Sequence, residues 1–323
     1  MSELWPMPDW PPGEPPRGFA LPPEVGLGAT HALVLIWRGR LVLERYGPGH
    51  GPDETLISWS VAKSFLHALV GILVRDGKLD PRARADVPAW QAPGDPRAAI
   101  TLDQLLRMSS GLAWLEDYVD AQQSDVIEML FGRGKDDVAA FAAQYPLAHR
   151  PDTVWCYSSG TSNLVASIAG RAIGGGEPAY REFLRRELFA RIGMRSASAR
   201  FDPAGTWIGS SFVFATARDF ARFGLLYLRD GVWEGERLLP EGWVQHARTL
   251  TPGSAGEYGA HWWLPPGGEG MFSANGYRGQ YVFVAPARDV VAVRLGDSTA
   301  EQQPLVRAWL GELVARFPLV SAA

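Results

Sequence analysis

The sequence predicts an α/β fold of the α+β type, with one antiparallel sheet built from both ends of the chain and flanked by helices. Near the N-terminus, residues 31–46 (HALVLIWRGRLVLERY) form two apolar runs around Arg38-Gly39, a pattern typical of a β-hairpin. Near the C-terminus, residues 281–284 and 290–295 have the composition of two further strands. The segments between them show helical apolar spacing, so we expect a mainly helical lobe inserted into a sheet lobe.

This order of elements also predicts the organisation of the chain. Residues 1–28 are rich in proline, which prevents a regular helix, so we expect an extended arm held to the body by its two tryptophans. The sheet lobe is predicted at residues 29–78 and 208–323, and the helical lobe at residues 79–207. Both lobes should form one domain, because 323 residues of which 46% are hydrophobic can bury a large common core.

Helices are predicted wherever apolar residues recur every three or four positions. The run from Trp59 to Arg75 is apolar on nearly every side, so we expect a helix buried between two layers. Thr101 is a favourable helix N-cap, and a helix should follow it as far as Met108. Further helices are expected at residues 137–144, 162–172, 182–192, 217–229 and 301–317.

Composition and charge exclude several classes of partner. The net charge is −4 and basic residues are not clustered, which argues against a nucleic acid. No stretch is long and apolar enough to span a bilayer, and the N-terminal residues lack the pattern of a secretion signal. Cys156 is the single cysteine, so an internal disulfide is excluded and we expect a cytoplasmic protein.

Ser60 and Lys63 stand three residues apart at the start of the most apolar predicted helix. At that spacing two side chains share a helix face, so the serine hydroxyl and the lysine amine can meet. The chain has 31 lysines and arginines, of which Lys63, Lys78 and Lys135 are the only lysines. A buried lysine can lose its proton, whereas arginine keeps it, so Lys63 is a candidate base for a Ser60 nucleophile.

Two later segments have the residues that such a pair would need for proton transfer and oxyanion binding. In WCYSSGTSN, Tyr157 precedes small polar residues and a helix start, from which its hydroxyl could point into a cleft. In FSANGYRGQYVFV, Gly276 and Gly279 allow a ligand to approach the backbone closely at the edge of a strand. Taken singly, a buried structural tyrosine is the more common outcome for the first segment. For the second, a simple hairpin entry is about as common as a ligand site.

Five segments in order carry a family resemblance: SWSVAKSF, TLDQLLRMSSGLAW, YSSG, FATARDFARFGLLYLRDGVW and ANGYRGQYVFVAPARDVV. From about His31 to the end, the chain resembles the penicillin-recognising serine hydrolases, with a β-lactamase/transpeptidase-like fold. Within that superfamily it is similar to the class C β-lactamase-like esterases and the 6-aminohexanoate-dimer (nylon oligomer) hydrolases.

The resemblance implies a role for each matching residue. Ser60 would be the nucleophile, Lys63 its base partner, and Tyr157 the tyrosine that shares proton transfer. The backbone N–H groups of Ser60 and Tyr277 would form the oxyanion hole. The substrate contacts implied are Tyr118, Asn275, Gly276 and Arg278.

The chain also departs from the β-lactamase pattern at two motifs. Tyr157-Ser158-Ser159 replaces Tyr-x-Asn, so the amide that clamps a substrate side chain is missing. Ala274-Asn275-Gly276 replaces Lys-Thr-Gly, so the cation that holds a β-lactam carboxylate is missing, although Arg278 lies nearby in sequence. Penicillin recognition should therefore be weak.

Other chemistries fit the sequence less well. His67 shares a helix face with Ser60, but seven helical residues separate the two by about 10 Å along the axis, which is too far for direct proton transfer. No Gly-x-Ser-x-Gly segment is present, so an α/β-hydrolase triad is not expected. The remaining histidines lack metal-ligand spacing, so we expect neither a metal nor a cofactor.

We therefore expect a serine hydrolase, a carboxylesterase or amidase that forms an acyl-enzyme with small esters or amides. Two alternatives stay open: a weak β-lactamase or D-amino-acid peptidase, and a catalytically silent scaffold of the same fold. The expected partner is a small-molecule substrate, with no nucleic acid and no membrane; the oligomeric state stays open.

Overall fold

The computed structural model describes residues 4–6, 8–118, 124–265 and 270–320. The strands in these ranges are β1 (Ala29–Trp37), β2 (Arg40–Tyr46), β3 (Leu56–Ile57), β4 (Ser198–Ala199), β5 (Val213–Ala215), β6 (Val232–Trp233), β7 (Glu236–Arg237), β8 (Phe272–Gly276), β9 (Gln280–Ala285) and β10 (Val290–Asp297).

The helices occupy mainly the middle of the chain. They are α1 (Ala62–Arg75), α2 (Leu102–Leu106), α3 (Asp125–Phe131), α4 (Val138–Ala143), α5 (Ser159–Ile173), α6 (Gly176–Leu184), α7 (Ala217–Leu228), α8 (Trp243–Arg248) and α9 (Gln303–Ala315). Throughout the described ranges, no helix combines the length and the apolar composition needed to cross a bilayer.

A five-stranded antiparallel sheet forms the centre of the molecule, in the order β2-β1-β10-β9-β8. Its strands come from both ends of the chain, as predicted. The β1–β2 turn places Arg38 at φ 53° and Gly39 at φ 73°, and two consecutive left-handed residues match the twist of a tight hairpin. The hairpin and the two C-terminal strands are therefore confirmed.

Both faces of the sheet are covered. On one face, Leu33 and Leu35 of β1 pack with Leu310 and Leu313 of α9. On the other face, α7 lies so close that a methyl group at Gly224 would come within 2.5 Å of Val291 on β10. Because side chains alternate across a strand, β1 contributes to both layers and is buried along most of its length.

Among the described residues between 79 and 207, the regular elements are helices, apart from β4, which pairs with β5. Thr101 caps α2 through a capping box with Gln104, as its position in the sequence predicts. The division into two lobes stays a prediction. In the N-terminal arm, Trp10 donates its indole N–H to the Arg218 carbonyl and Trp5 packs on Trp233, so both tryptophans contact the body.

Candidate active site

Ser60 lies in a tight 3-10 turn, Trp59–Val61, that leads directly into α1. Trp59 has φ 44°, a left-handed conformation that costs energy for a bulky residue and is typical of functional sites. The preceding residue anchors the turn, because the Ser58 hydroxyl accepts a hydrogen bond from the Val213 N–H at 2.9 Å. Ser60 is thereby held at the N-terminal end of α1, where the helix dipole favours negative charge.

Lys63 is buried, with 1% of its surface exposed, one helical turn beyond Ser60. Its Nζ lies 3.0 Å from Ser60 Oγ, 3.0 Å from Ser159 Oγ and 2.9 Å from the Ser210 carbonyl oxygen. No carboxylate of the described residues forms an ion pair with it. Burial lowers the pKa of Lys63 to about 8, against an opposing effect of Glu116. A neutral amine is thus accessible near physiological pH.

Tyr157 stands just before α5 with its ring beside Lys63. Lys63 Nζ lies 4.9 Å from the centre of the Tyr157 ring, and the ring edge packs on Tyr258. Burial raises the pKa of the Tyr157 hydroxyl, Glu116 raises it further, and the nearby Ser60 side chain opposes the rise. Tyr157 therefore keeps its proton, and its hydroxyl lies beside the oxygen of the candidate nucleophile.

Glu116 is a site residue that the sequence analysis missed. One carboxylate oxygen accepts hydrogen bonds from Ser159 Oγ at 2.5 Å and the Tyr118 hydroxyl at 2.6 Å. The other accepts from the Ser159 N–H at 2.9 Å and the Trp114 indole at 2.6 Å. A carboxylate accepts about four hydrogen bonds, and Glu116 has four donors. Its negative charge is therefore held in place, and the Ser159 hydroxyl links it to Lys63 through two hydrogen bonds. Neither Glu116 nor Ser159 has a sequence spacing that signals this contact.

Gly276 brings the end of β8 against the Ser60 turn. A methyl group at this position would lie 2.3 Å from the Ser58 carbonyl oxygen, so no other residue fits without displacing backbone. Tyr277 follows, and its ring meets Trp59 edge-on at 5.6 Å. Among the described residues, neither the Ser60 N–H nor the Tyr277 N–H has an intramolecular acceptor. Both groups are free to bind an oxygen atom.

The predicted substrate contacts line one open cleft of about 810 Å³ beside Ser60. The Tyr118 ring stacks on Tyr277 with 5.1 Å between ring centres. Asn275 accepts a hydrogen bond from Ser273, and Arg278 is half exposed and forms an ion pair with Asp297 at 2.7 Å. Every site residue proposed from the sequence except Lys63 therefore lines this cleft. Lys63 lies behind Ser60, to which it is hydrogen-bonded.

The family assignment rests on most of the chain. The sequence model of the family described as beta-lactamase matches residues 28–316. The chain belongs to the β-lactamase family. It is thus a member of a serine hydrolase family with the β-lactamase fold, as the five sequence segments predict.

Individual relatives of this β-lactamase-family chain agree with that placement. The 6-aminohexanoate-dimer hydrolase of Paenarthrobacter ureafaciens is 29% identical over 303 residues, which cover 87% of this chain and 75% of that protein. A Bacillus anthracis protein with the provisional name 6-aminohexanoate-dimer hydrolase has a TM-score of 0.80 at 22% identity, covering 98% of this chain and 91% of that one. The octameric penicillin-binding protein homologue of Pyrococcus abyssi has a TM-score of 0.69 at 18% identity, covering 88% of this chain and 73% of that one. The structural likenesses confirm the predicted fold class.

His67 lies apart from the site of this β-lactamase-family member. Its two ring nitrogens contact the Tyr227 hydroxyl at 2.8 Å and His246 at 3.1 Å, and neither contacts Ser60. Burial, together with the nearby His246, lowers the pKa of His67 well below its usual range, so it is a neutral core histidine. In the described residues, no group of three or more histidine, cysteine or acidic side chains has the geometry of a metal site.

Proposed function

We propose that this protein is a carboxylesterase or amidase that cleaves small esters or amides through an acyl-enzyme on Ser60. The observation that carries the proposal is the position of Lys63, whose buried amine lies 3.0 Å from Ser60 Oγ and forms no ion pair with any described carboxylate. With its pKa lowered to about 8, this amine is both a usable base and a usable acid near neutral pH.

The proposed reaction has two steps. Ser60 Oγ attacks the substrate carbonyl carbon while its proton passes to neutral Lys63, and the N–H groups of Ser60 and Tyr277 bind the developing oxyanion. The proton then passes through the Tyr157 hydroxyl to the leaving alcohol or amine as the carbon–heteroatom bond breaks. Water attacks the acyl-enzyme by the same proton path and releases the carboxylic acid, which restores the Ser60 hydroxyl.

β-Lactam hydrolysis is less well supported than ester or amide cleavage. The missing amide of the second motif is replaced by Ser159, whose hydroxyl is already bonded to Lys63 and Glu116. The nearest candidate for the missing cation, Arg278, is paired with Asp297. A β-lactam carboxylate would have to compete with Asp297 in order to bind Arg278. The cytoplasmic location stays a prediction from the single cysteine.

A fluorophosphonate probe tests the proposal against a silent scaffold. The native protein should be labelled on Ser60, with loss of p-nitrophenyl butyrate hydrolysis in proportion to the label, because the probe needs an activated nucleophile. Ser60→Ala and protein unfolded in denaturant are the controls and should take up no label. Native protein that stays unlabelled and inactive would establish the scaffold alternative, and efficient turnover of a chromogenic cephalosporin would favour the β-lactamase alternative.

A further inference from the structure

Two cavities of different character meet at Ser60. One is the open cleft of about 810 Å³, which includes Tyr157 in its wall. The other is a smaller cavity of about 210 Å³, here called the acyl pocket, which shares Ser60, Tyr118 and Tyr277 with the cleft. It is lined by Trp59, Ser60, Tyr118, Val126, Ile127, Leu130, Phe131, Ser159, Ser211 and Tyr277.

None of the described residues that line the acyl pocket carries a charged side chain. Helix α3 supplies one wall through four apolar side chains: Val126, Ile127, Leu130 and Phe131. Two of the polar side chains in its lining are already bonded: Ser159 to Lys63 and Glu116, and Ser211 to Ser210 at 2.8 Å. An ammonium or carboxylate placed here would lose its hydration without gaining a partner.

The open cleft has the opposite character. Of the described residues in its wall, five are charged: Glu116, Asp117, Arg278, Glu301 and Arg307. Arg307 projects from α9 and has no hydrogen-bond or ion-pair partner within the described part of the chain. Polar or charged groups of a substrate are therefore accommodated on this side.

Proton transfer decides which half of the substrate enters which cavity. The leaving atom must come within hydrogen-bond reach of the group that protonates it. Tyr157 lines the open cleft and does not line the acyl pocket. The leaving group consequently lies in the cleft, and the acyl group extends from the Ser60 ester into the pocket.

We propose that the substrates are esters or amides with an uncharged, apolar, short to medium acyl chain, and that α3 sets this specificity. The inference rests on the proposed function. At about 210 Å³ the pocket is smaller than typical ligand sites of about 300–1,000 Å³. It holds about seven groups of the size of a water molecule or a methylene, at roughly 30 Å³ each. Chains of more than about eight carbons should overflow it.

An isosteric pair of substrates tests the charge requirement. p-Nitrophenyl heptanoate and p-nitrophenyl 6-aminohexanoate differ only at the end of the acyl chain. The heptanoate ends in a methyl group and the 6-aminohexanoate in an ammonium group. We expect kcat/KM for the amino ester to be at least about 30-fold lower, since the ammonium would be desolvated without a partner. Spontaneous hydrolysis of each ester is subtracted. Equal turnover of the two esters would overturn the proposal.

Chain-length profiles of two variants test the role of α3. Wild-type kcat/KM should rise by up to roughly fourfold per methylene until the pocket is full, and then fall. Leu130→Ala widens the pocket and should move the optimum about two carbons longer. Leu305→Ala, at an exposed leucine outside the pocket, is the matched control and should leave the profile unchanged. Ile127→Ala replaces Leu130→Ala if thermal melting shows that the latter does not fold.

The outcomes separate this inference from the proposed function. Suppose that esters are turned over and Ser60 is labelled, but the two isosteric esters react equally well or the folded α3 variant keeps the wild-type chain-length profile. That result would contradict the role of the acyl pocket and would leave the proposed hydrolase function standing. Neither labelling nor turnover of any ester would contradict the hydrolase itself. Discrimination by charge together with the shifted optimum supports both.

Discussion

Lys63→Arg is expected to lower kcat/KM for p-nitrophenyl butyrate by about 100- to 10,000-fold, the usual contribution of a general base. Arginine keeps the positive charge but does not lose its proton in proteins, so it cannot accept the Ser60 proton. It would still supply donors to Ser159 and the Ser210 carbonyl. Loss of activity would thus report loss of the base rather than loss of charge.

The matched control for this variant is Lys78→Arg, which makes the same substitution at an exposed lysine. It should retain wild-type kcat/KM. Circular dichroism and thermal melting establish that Lys63→Arg is folded, because the larger guanidinium must fit a buried site. A folded Lys63→Arg enzyme with activity near that of the wild type would show that Lys63 is not the base.

Gly276→Ala should reduce kcat by about 100- to 1,000-fold, the loss typical of an oxyanion-hole donor. The added methyl group would meet the Ser58 carbonyl oxygen at 2.3 Å, and Ser58 anchors the turn that carries Ser60. Relief of that clash must separate the Tyr277 N–H from the Ser60 N–H. The effect should fall mainly on kcat, since the oxyanion forms only in the transition state.

Gly311→Ala makes the same change where nothing lies within 4 Å of the new methyl group. It sits inside α9 and should keep full activity while stabilising the fold by about 0.5–1 kcal/mol. If Gly276→Ala is folded and retains the wild-type kcat, the oxyanion hole has been placed wrongly.

Much of the fold could be predicted because its signals are local. The β1–β2 hairpin shows in one stretch of sequence, with its turn marked by Arg38-Gly39. Lys63 was identified by its spacing from Ser60 and by the rarity of lysine in the chain. Helical geometry then fixed the contact that the structure shows at 3.0 Å. In each case, residues close in sequence carried the information.

The remainder of the site depends on contacts between distant segments. Glu116 reaches Ser159 across 43 positions, and Lys63 reaches the Ser210 carbonyl across 147. No periodicity encodes such pairs, because tertiary packing creates them. The acyl pocket could not be predicted either, because it also depends on contacts between distant segments. Helix α3 was not predicted, and its approach to Ser60 depends on how the helices pack.

The pH dependence of Ser60 labelling by a fluorophosphonate shows whether a neutral Lys63 activates Ser60. The lowered pKa of Lys63 predicts that the labelling rate rises with a midpoint near pH 8, as the protonated amine gives way to the neutral one. Because Glu116 raises that pKa, Glu116→Gln should move the midpoint to lower pH. A labelling rate independent of pH between about 6 and 10, or a midpoint that does not move in Glu116→Gln, would contradict the account.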